Sequence, residues 1–164
     1  MIDMEEIRDW FVQELRERME DEQLRVCDVA YQCRITSNRL NNYLQGRSFP
    51  NPFVLSILAD LLACSVNDLL GFDELDEDEL VGFDPLSTFD DEDEFMVHIR
   101  NRLEQSMLSR DVSTKELSEK TGFNQHTIKY WLGKLKHQPS LIRTSDLIRL
   151  ADALDCTPSD LLGY

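Results

Sequence analysis

Residues 59–72 read ADLLACSVNDLLGF, and residues 151–164 read ADALDCTPSDLLGY. The two stretches lie 92 residues apart and share the alanine–aspartate start, the cysteine and the closing aspartate–leucine–leucine–glycine. A repeat of this length indicates two small domains built to one plan. The chain is therefore predicted to form two domains, residues 1–72 and 95–164, joined by a linker over residues 73–94.

The first copy is predicted to consist of five helices. Its opening helix carries apolar residues at helical spacing, namely Ile7, Trp10, Phe11, Leu15 and Met19. A second helix is predicted over about residues 26–33 and a third over residues 37–44. Residues with good capping side chains precede the third, fourth and fifth helices; they are Thr36, Asn51 and Ser65.

The second copy follows the same plan. Its second and third helices are predicted over residues 114–121 and 125–132, the latter after a cap at Asn124. Four extra residues fall between helices three and four, within residues 133–145. Neither copy contains a strand pattern, so the predicted fold class is all-α with two tandem five-helix domains.

Composition narrows the functional class. No apolar run approaches the roughly 18 residues of a membrane span, and the start of the chain does not resemble a signal peptide, so a cytoplasmic protein is expected. The four cysteines have no zinc-ligand spacing; buried, reduced thiols are favoured over a metal site or a disulfide. No phosphate loop or nucleophile motif occurs, so neither an enzyme nor a cofactor is expected.

The formal net charge of −15 is unevenly distributed. Residues 1–72 hold 12 acidic and 7 basic side chains, residues 73–94 hold 12 acidic and none basic, and residues 95–164 hold 8 acidic and 10 basic. The acidity therefore belongs mostly to the linker. The second copy is mildly basic, and this balance is compatible with a nucleic-acid partner.

A short helix, a tight turn and a second, capped short helix form a helix-turn-helix unit. The residues that carry this pattern in the second copy are Thr121-Gly122-Phe123-Asn124, Ile128 and Trp131, and in the first copy Ile35-Thr36, Leu40 and Tyr43. Both copies thereby resemble the phage-lambda-repressor/Cro-like (XRE-type) helix-turn-helix family. Tyr43 and Trp131 are expected in the cores of their domains.

The resemblance implies that helix three lies in the major groove of double-stranded DNA and that helix two crosses the phosphate backbone. It implies a sequence-specific transcriptional regulator, of which a repressor of phage or mobile-element type is the favoured form. The alternative is a protein-interaction module, such as an antirepressor, a DNA mimic or an adaptor, that keeps the fold without binding DNA.

The DNA-binding residues expected from this geometry lie chiefly in the second copy. Gln125, His126 and Lys129 would face base edges, while Thr114 and Lys115 would hold phosphate. The enlarged loop adds lysines on the same side. The complete expected set of the second copy is Thr114, Lys115, Asn124, Gln125, His126, Thr127, Lys129, Lys134, Lys136 and Arg143.

The first copy departs from the family pattern. Val26 stands where the family usually has glutamine, and Arg34 stands where it usually has a turn glycine. A non-glycine residue in the left-handed region costs about 1 kcal/mol. Direct DNA reading and a structural or dimer-forming role both remain open for this copy, with candidate contacts at Ser37, Asn38, Arg39, Asn41 and Arg47.

The linker over residues 73–94 mixes its carboxylates with leucine and phenylalanine. Three interpretations remain open: a flexible spacer, a segment that docks onto a domain, and a mimic of phosphate that competes for the basic loop. Fully extended, such a linker reaches about 70 Å. It would allow one chain to act as a pseudo-dimer on two half-sites; a homodimer and a protein partner bound through the linker are further possibilities.

Overall fold

A computed structural model of the chain describes residues 2–72, 88–133 and 142–162. The chain divides into two compact units, Met1–Thr88 and Phe89–Tyr164. Over the described ranges each unit is built from helices and connecting turns, without a strand. The predicted all-α fold class is confirmed.

The helices of the first unit follow the predicted order. They are α1 (Met4–Asp21), α2 (Val26–Gln32), α3 (Ser37–Leu44), α4 (Pro52–Leu61) and α5 (Val66–Leu70). The helices of the second unit are α6 (Glu92–Ser109), α7 (Thr114–Thr121), α8 (Gln125–Trp131), α9 (Thr144–Ala153) and α10 (Pro158–Leu162). The start of α6 therefore lies within the segment 73–94, and α8 ends one residue earlier than predicted.

Side chains cap the start of several short helices, whereas α2 and α9 have no side-chain cap. Thr36 accepts a hydrogen bond from the Arg39 N–H at 3.1 Å, and Asn51 accepts one from the Val54 N–H at 2.9 Å. Ser65 forms a reciprocal capping box, in which its hydroxyl accepts from the backbone of the third helical residue. Each such cap contributes about 1 kcal/mol, which matters for helices of five to ten residues.

The first helix of each unit supplies the centre of its core. Phe11 and Leu15 of α1 are completely buried, and Ile99 and Leu103 of α6 occupy the equivalent positions with the same degree of burial. Tyr43 and Trp131 are buried, as predicted for both. In the first unit α1 contacts α3 and α5, and in the second unit α6 contacts α10.

In each unit, a side chain of the first helix donates a hydrogen bond to a backbone carbonyl oxygen of the last helix. The Trp10 indole N–H donates to the Asp68 carbonyl oxygen at 3.1 Å, and the Arg102 guanidinium donates to the Asp160 carbonyl oxygen at 2.8 Å. Asp68 and Asp160 are equivalent in the repeat, so two unlike donors satisfy the same carbonyl. Carbonyls near a helix end lack partners within the helix, and such donors stabilise them.

The cysteines are free thiols, as the sequence predicts, but their burial was predicted wrongly in part. Burial raises the pKa of the Cys33 thiol to about 12 and that of Cys156 to about 11. Cys64 and Cys156 are half-buried, and Cys27 is exposed. Cys27 lies on the outer side of α2, whose inner side is formed by Val29 and Ala30.

Two kinds of feature are absent from the described ranges. No group of histidine, cysteine or carboxylate side chains there is arranged to hold a metal ion. None of the helices that the structure describes combines the length and apolar character needed to cross a bilayer.

Gly71 is predicted to be more sensitive to substitution than Gly122. Both have a left-handed backbone, with φ of 77° and 78°, but a Cβ on Gly71 would lie 3.0 Å from the Trp10 ring, whereas nothing lies within 4 Å of a Cβ on Gly122. Gly122→Ala should cost about 1 kcal/mol of backbone strain, and Gly71→Ala should cost more. Hydrogen exchange of α1 amides measures the free energy of unfolding of the first unit, and exchange of α6 amides measures that of the second. If the two variants lose equal free energy of unfolding, this prediction is contradicted.

Candidate nucleic-acid interface

The turn between α7 and α8 is fixed by side-chain hydrogen bonds. Gly122 has φ 78°, and the Ser118 hydroxyl donates to the Phe123 carbonyl oxygen at 2.6 Å. The Thr121 hydroxyl donates to the Leu117 carbonyl oxygen and accepts from the Phe123 N–H. The Phe123 and Trp131 rings meet edge to face with centroids 5.1 Å apart. These contacts set the angle between the two helices.

Helix α8 has one buried and one exposed face. Ile128 and Trp131 are buried, while Gln125, His126 and Lys129 are exposed. Thr127 is half-buried, and Asn124 is exposed with its side-chain oxygen accepting the His126 N–H at 2.8 Å. The structure thus places the predicted base-reading side chains together on the outer face of a short, capped helix.

The start of α7 carries both a cation and an anion. Lys115 is exposed and Thr114 is half-buried. Glu116 completes a capping box, in which its carboxylate accepts the Ser113 N–H at 2.8 Å and the Ser113 hydroxyl accepts the Glu116 N–H at 3.2 Å. Hydrogen bonding from Ser113 lowers the pKa of Glu116. A phosphate here would meet the Lys115 ammonium beside a fixed carboxylate.

The basic loop is only partly within the described residues. Lys134, Lys136 and His137 lie outside them, whereas Arg143 is exposed at the start of α9. The sequence interpretation did not include Arg149, which is exposed on α9 with its guanidinium 5.9 Å from the Phe123 ring centroid. Arg149 corresponds to Ile57 in the repeat, and this change from an apolar to a cationic residue was the signal in the sequence that could have identified it.

The equivalent surface of the first unit is basic and rich in amides. All five predicted contacts of this unit are exposed: Ser37, Asn38, Arg39, Asn41 and Arg47. Gln45, which was not predicted, is exposed as well. The Arg39 guanidinium lies 6.0 Å from the Tyr43 ring centroid. Residues 25–47 contain four arginines and one aspartate, although Arg25 is paired with that aspartate, Asp28, at 2.8 Å.

In the first unit, one departure from the family pattern and one further exposed residue lie on α2 and the turn that follows it. Arg34 occupies the turn with φ 57°, which confirms the left-handed backbone expected there, and its side chain is exposed. Tyr31, which the sequence interpretation did not single out, is 83% exposed on α2. Arginine and tyrosine side chains bind phosphate in protein–DNA complexes, so Arg34 and Tyr31 expose phosphate-binding groups, whereas the Val26 side chain offers none.

Two helices joined by a tight turn, the second capped and exposing amide and cationic side chains, define a helix-turn-helix domain of the DNA-binding class. The chain contains two of them. Residues 102–164 match the family model described as Cro/C1-type HTH DNA-binding domain, and residues 10–74 match the model described as Helix-turn-helix domain. The chain belongs to the lambda-repressor/Cro-like helix-turn-helix family, with two domains in tandem. Neither the curated proteins nor the solved structures gave a match.

Glu116 is predicted to stabilise α7 only while it is ionised. Its pKa in the folded chain is lowered, so its contribution is present above the pKa of the unfolded chain and is lost as the pH falls through the folded pKa. Glu116→Gln should therefore speed exchange of α7 amides at pH 7, and the two proteins should become equal in acid. The exposed Glu119 offers the matched control, Glu119→Gln, for which no such difference is expected. A difference between wild type and Glu116→Gln that persists in acid would contradict the prediction.

Proposed function

We propose that this protein is a sequence-specific, double-stranded-DNA-binding transcriptional regulator, and specifically a repressor of phage or mobile-element type that acts in the cytoplasm. The observation that carries the proposal is the outer face of α8, where Gln125, His126 and Lys129 are exposed on a helix held by the buried Ile128 and Trp131. Repression requires only that the protein occupy its site. No catalytic step and no cofactor form part of the proposal.

In the proposed complex, α8 enters the major groove. Gln125 would pair with adenine and Lys129 would donate to guanine, and a well-placed pair of this kind discriminates by about 1–3 kcal/mol. Lys115 and Arg143 would contact phosphates on either side, with Lys134 and Lys136 extending that contact. Phosphate contacts set the position on the duplex, whereas contacts to base edges select the sequence.

The first unit is proposed as a second, weaker reader. Asn38 and Asn41 are suited to adenine, and Arg39 to guanine. The linker would allow one chain to bind two unlike half-sites as a pseudo-dimer, without excluding assembly into a homodimer. The net charge of −15 does not oppose this, because charges farther than about 8 Å from the duplex are largely screened at physiological salt.

A second candidate function is a protein-interaction module that keeps the fold without binding DNA. The observation favouring it is the fixed Glu116 carboxylate at the start of α7, together with the exposed Cys27 on α2. DNA binding by the full chain discriminates between the two candidate functions. Specific protein–DNA complexes have Kd values of about 10 nM or below, so about 10–50 nM protein should shift a selected DNA fragment at low salt. Failure to shift any fragment selected from random DNA would favour the interaction module.

Gln125→Ala and Lys129→Ala are predicted to relax sequence preference by about 1–3 kcal/mol at single base pairs. Lys115→Ala should instead weaken all sequences alike and reduce the slope of log K against log salt by about 1. Selection from random DNA, followed by titration at several salt concentrations, measures both effects. Arg8→Ala removes an exposed charge from α1 and serves as the control.

Sequence preference that survives both Gln125→Ala and Lys129→Ala would show that α8 is not the reading helix. An equal loss of affinity with Arg8→Ala would mean that only net charge matters. Either result would contradict the assignment of roles.

Arg34→Gly is predicted to stabilise the first unit and to weaken DNA binding. Glycine relieves up to about 1 kcal/mol at φ 57°, while the lost guanidinium removes a phosphate contact. Ala63→Gly is the matched control, because Ala63 has φ 51° and carries no charge; it should stabilise the unit and leave affinity unchanged. Hydrogen exchange and DNA titration measure the two effects, and unchanged affinity of Arg34→Gly would exclude this contact.

A further inference from the structure

The C-terminal end of α3 is held by a side chain of α1. The Arg16 guanidinium donates two hydrogen bonds to the Leu44 carbonyl oxygen, from Nε at 2.9 Å and from Nη2 at 2.6 Å. The two residues lie 28 positions apart in the chain, so the contact joins two helices. Leu44 is the last residue of α3, the helix that carries the candidate base contacts of the first unit.

The end of α3 is where a cation stabilises this helix most. The carbonyl oxygens of Asn41, Asn42 and Tyr43 accept backbone N–H groups of the turn that follows the helix. The last carbonyls of a helix lack partners within it, and the helix dipole favours a positive charge at that end. Helix α3 has no basic residue in its own last turn. Arg16 supplies the charge from the neighbouring long helix.

The second unit also brings an arginine of its long helix to the end of its third helix. Gly46 and Gly133 follow α3 and α8 with φ of 69° and 70°. A Cβ on Gly133 would lie 2.7 Å from Arg100 Nη1, whereas a Cβ on Gly46 would lie 3.5 Å from Val12. At the repeat spacing of 88 residues, Arg100 corresponds to Val12, and the residue that corresponds to Arg16 is a glutamate. The arginine thus differs in position by about one helical turn.

Fixing both ends of a short helix sets its direction. The start of α3 is fixed by the Thr36 cap, and Leu40 and Tyr43 bury its inner face. The contact with Arg16 fixes the other end, close to the exposed Asn41. Donor–acceptor distances of hydrogen bonds vary over only about 0.5 Å. A larger movement of this end would therefore change which base edges α3 can reach.

We propose that Arg16 is a positioning residue for DNA reading by the first unit. It holds the C-terminal end of α3 and thereby places Arg39 and Asn41 against the base edges, without contacting DNA itself. The effect on DNA rests on the proposed function. The effect on α3 needs no DNA, so the two parts are tested separately.

Hydrogen exchange of the full chain without DNA tests the contact. Arg16→Met removes the guanidinium and keeps a long apolar stem. The amides of Gln45 and Arg47, which donate to α3 carbonyls, should then exchange about tenfold faster, because hydrogen bonds to charged groups are among the stronger ones. Amides of α4 should keep their wild-type rates. Arg8→Met is the matched control, since Arg8 is exposed on the same helix, and it should change neither set of rates.

A second pair of variants moves the arginine along α1. Arg16→Glu introduces the residue type of the second unit and should also speed exchange of the Gln45 and Arg47 amides. Adding Val12→Arg gives α1 the arrangement of α6 and should restore slow exchange. A side chain that mattered only through its own packing could not be replaced from one turn away, so this rescue identifies the guanidinium at the helix end as the cause.

Sequence preference provides the measurement on DNA. Preference is a ratio of two affinities, so a smaller folded fraction lowers both affinities alike and leaves the ratio unchanged. At the base pairs where Arg39→Ala relaxes preference, Arg16→Met should reduce it by about fivefold or more. At the base pairs that depend on Gln125 of the second unit, preference should stay as in the wild type. The slope of log K against log salt should not change, because no phosphate contact is lost.

Three results would overturn the proposal. The first is exchange in Arg16→Met that is unchanged at the end of α3 or equally faster throughout α4. The second is failure of Val12→Arg to rescue Arg16→Glu. The third is unchanged preference with a salt slope smaller by about 1, which would make Arg16 a phosphate contact. If the wild-type chain binds no selected DNA, the proposed function fails, and exchange still decides whether Arg16 holds α3.

Discussion

Each unit depends on the burial of short helices against one long helix. Helices of five to ten residues are unstable in water by themselves, and eight of those described here are no longer than that. The 18-residue helices α1 and α6 provide the buried surface, chiefly through Leu15 and Leu103, which are equivalent in the repeat. In the first unit α1 contacts α3 directly, and without this support the exposed polar face of α3 would have no fixed orientation.

This arrangement allows the two outer surfaces to vary. The large apolar residues shared between the copies, such as Leu62 and Leu154, lie in the cores, whereas the exposed residues differ: amides and arginines on α3, and glutamine, histidine and lysine on α8. Duplication followed by change on the exposed positions gives one chain two unlike surfaces.

Much of the fold was predictable from the sequence because its signals are local. The bounds of α3 and α7 agree with the prediction, since a capping side chain and a buried core residue fix each of them. The exposure of Cys27 was missed because helix periodicity over the seven residues of α2 leaves the inner side ambiguous. The position of Arg149 beside Phe123 depends on the packing of α9 against the turn, which no local pattern contains.

The placement of the candidate site was less predictable than its composition. Residue type and helix position indicated Gln125 and Lys129, but the capping box that holds the Glu116 carboxylate next to Lys115 depends on backbone geometry. The electrostatics of this end of the interface follow from a hydrogen bond that stabilises the helix. Stability and affinity are therefore in partial conflict at Glu116.

The two tryptophans give the protein an internal optical label for each unit. Trp10 belongs to the first unit and is 47% exposed, while Trp131 belongs to the second and is 5% exposed. Indole emission shifts to longer wavelength in contact with water, and a dissolved quencher reaches only an exposed ring. One fluorescence spectrum thus separates the behaviour of the two halves without any added dye.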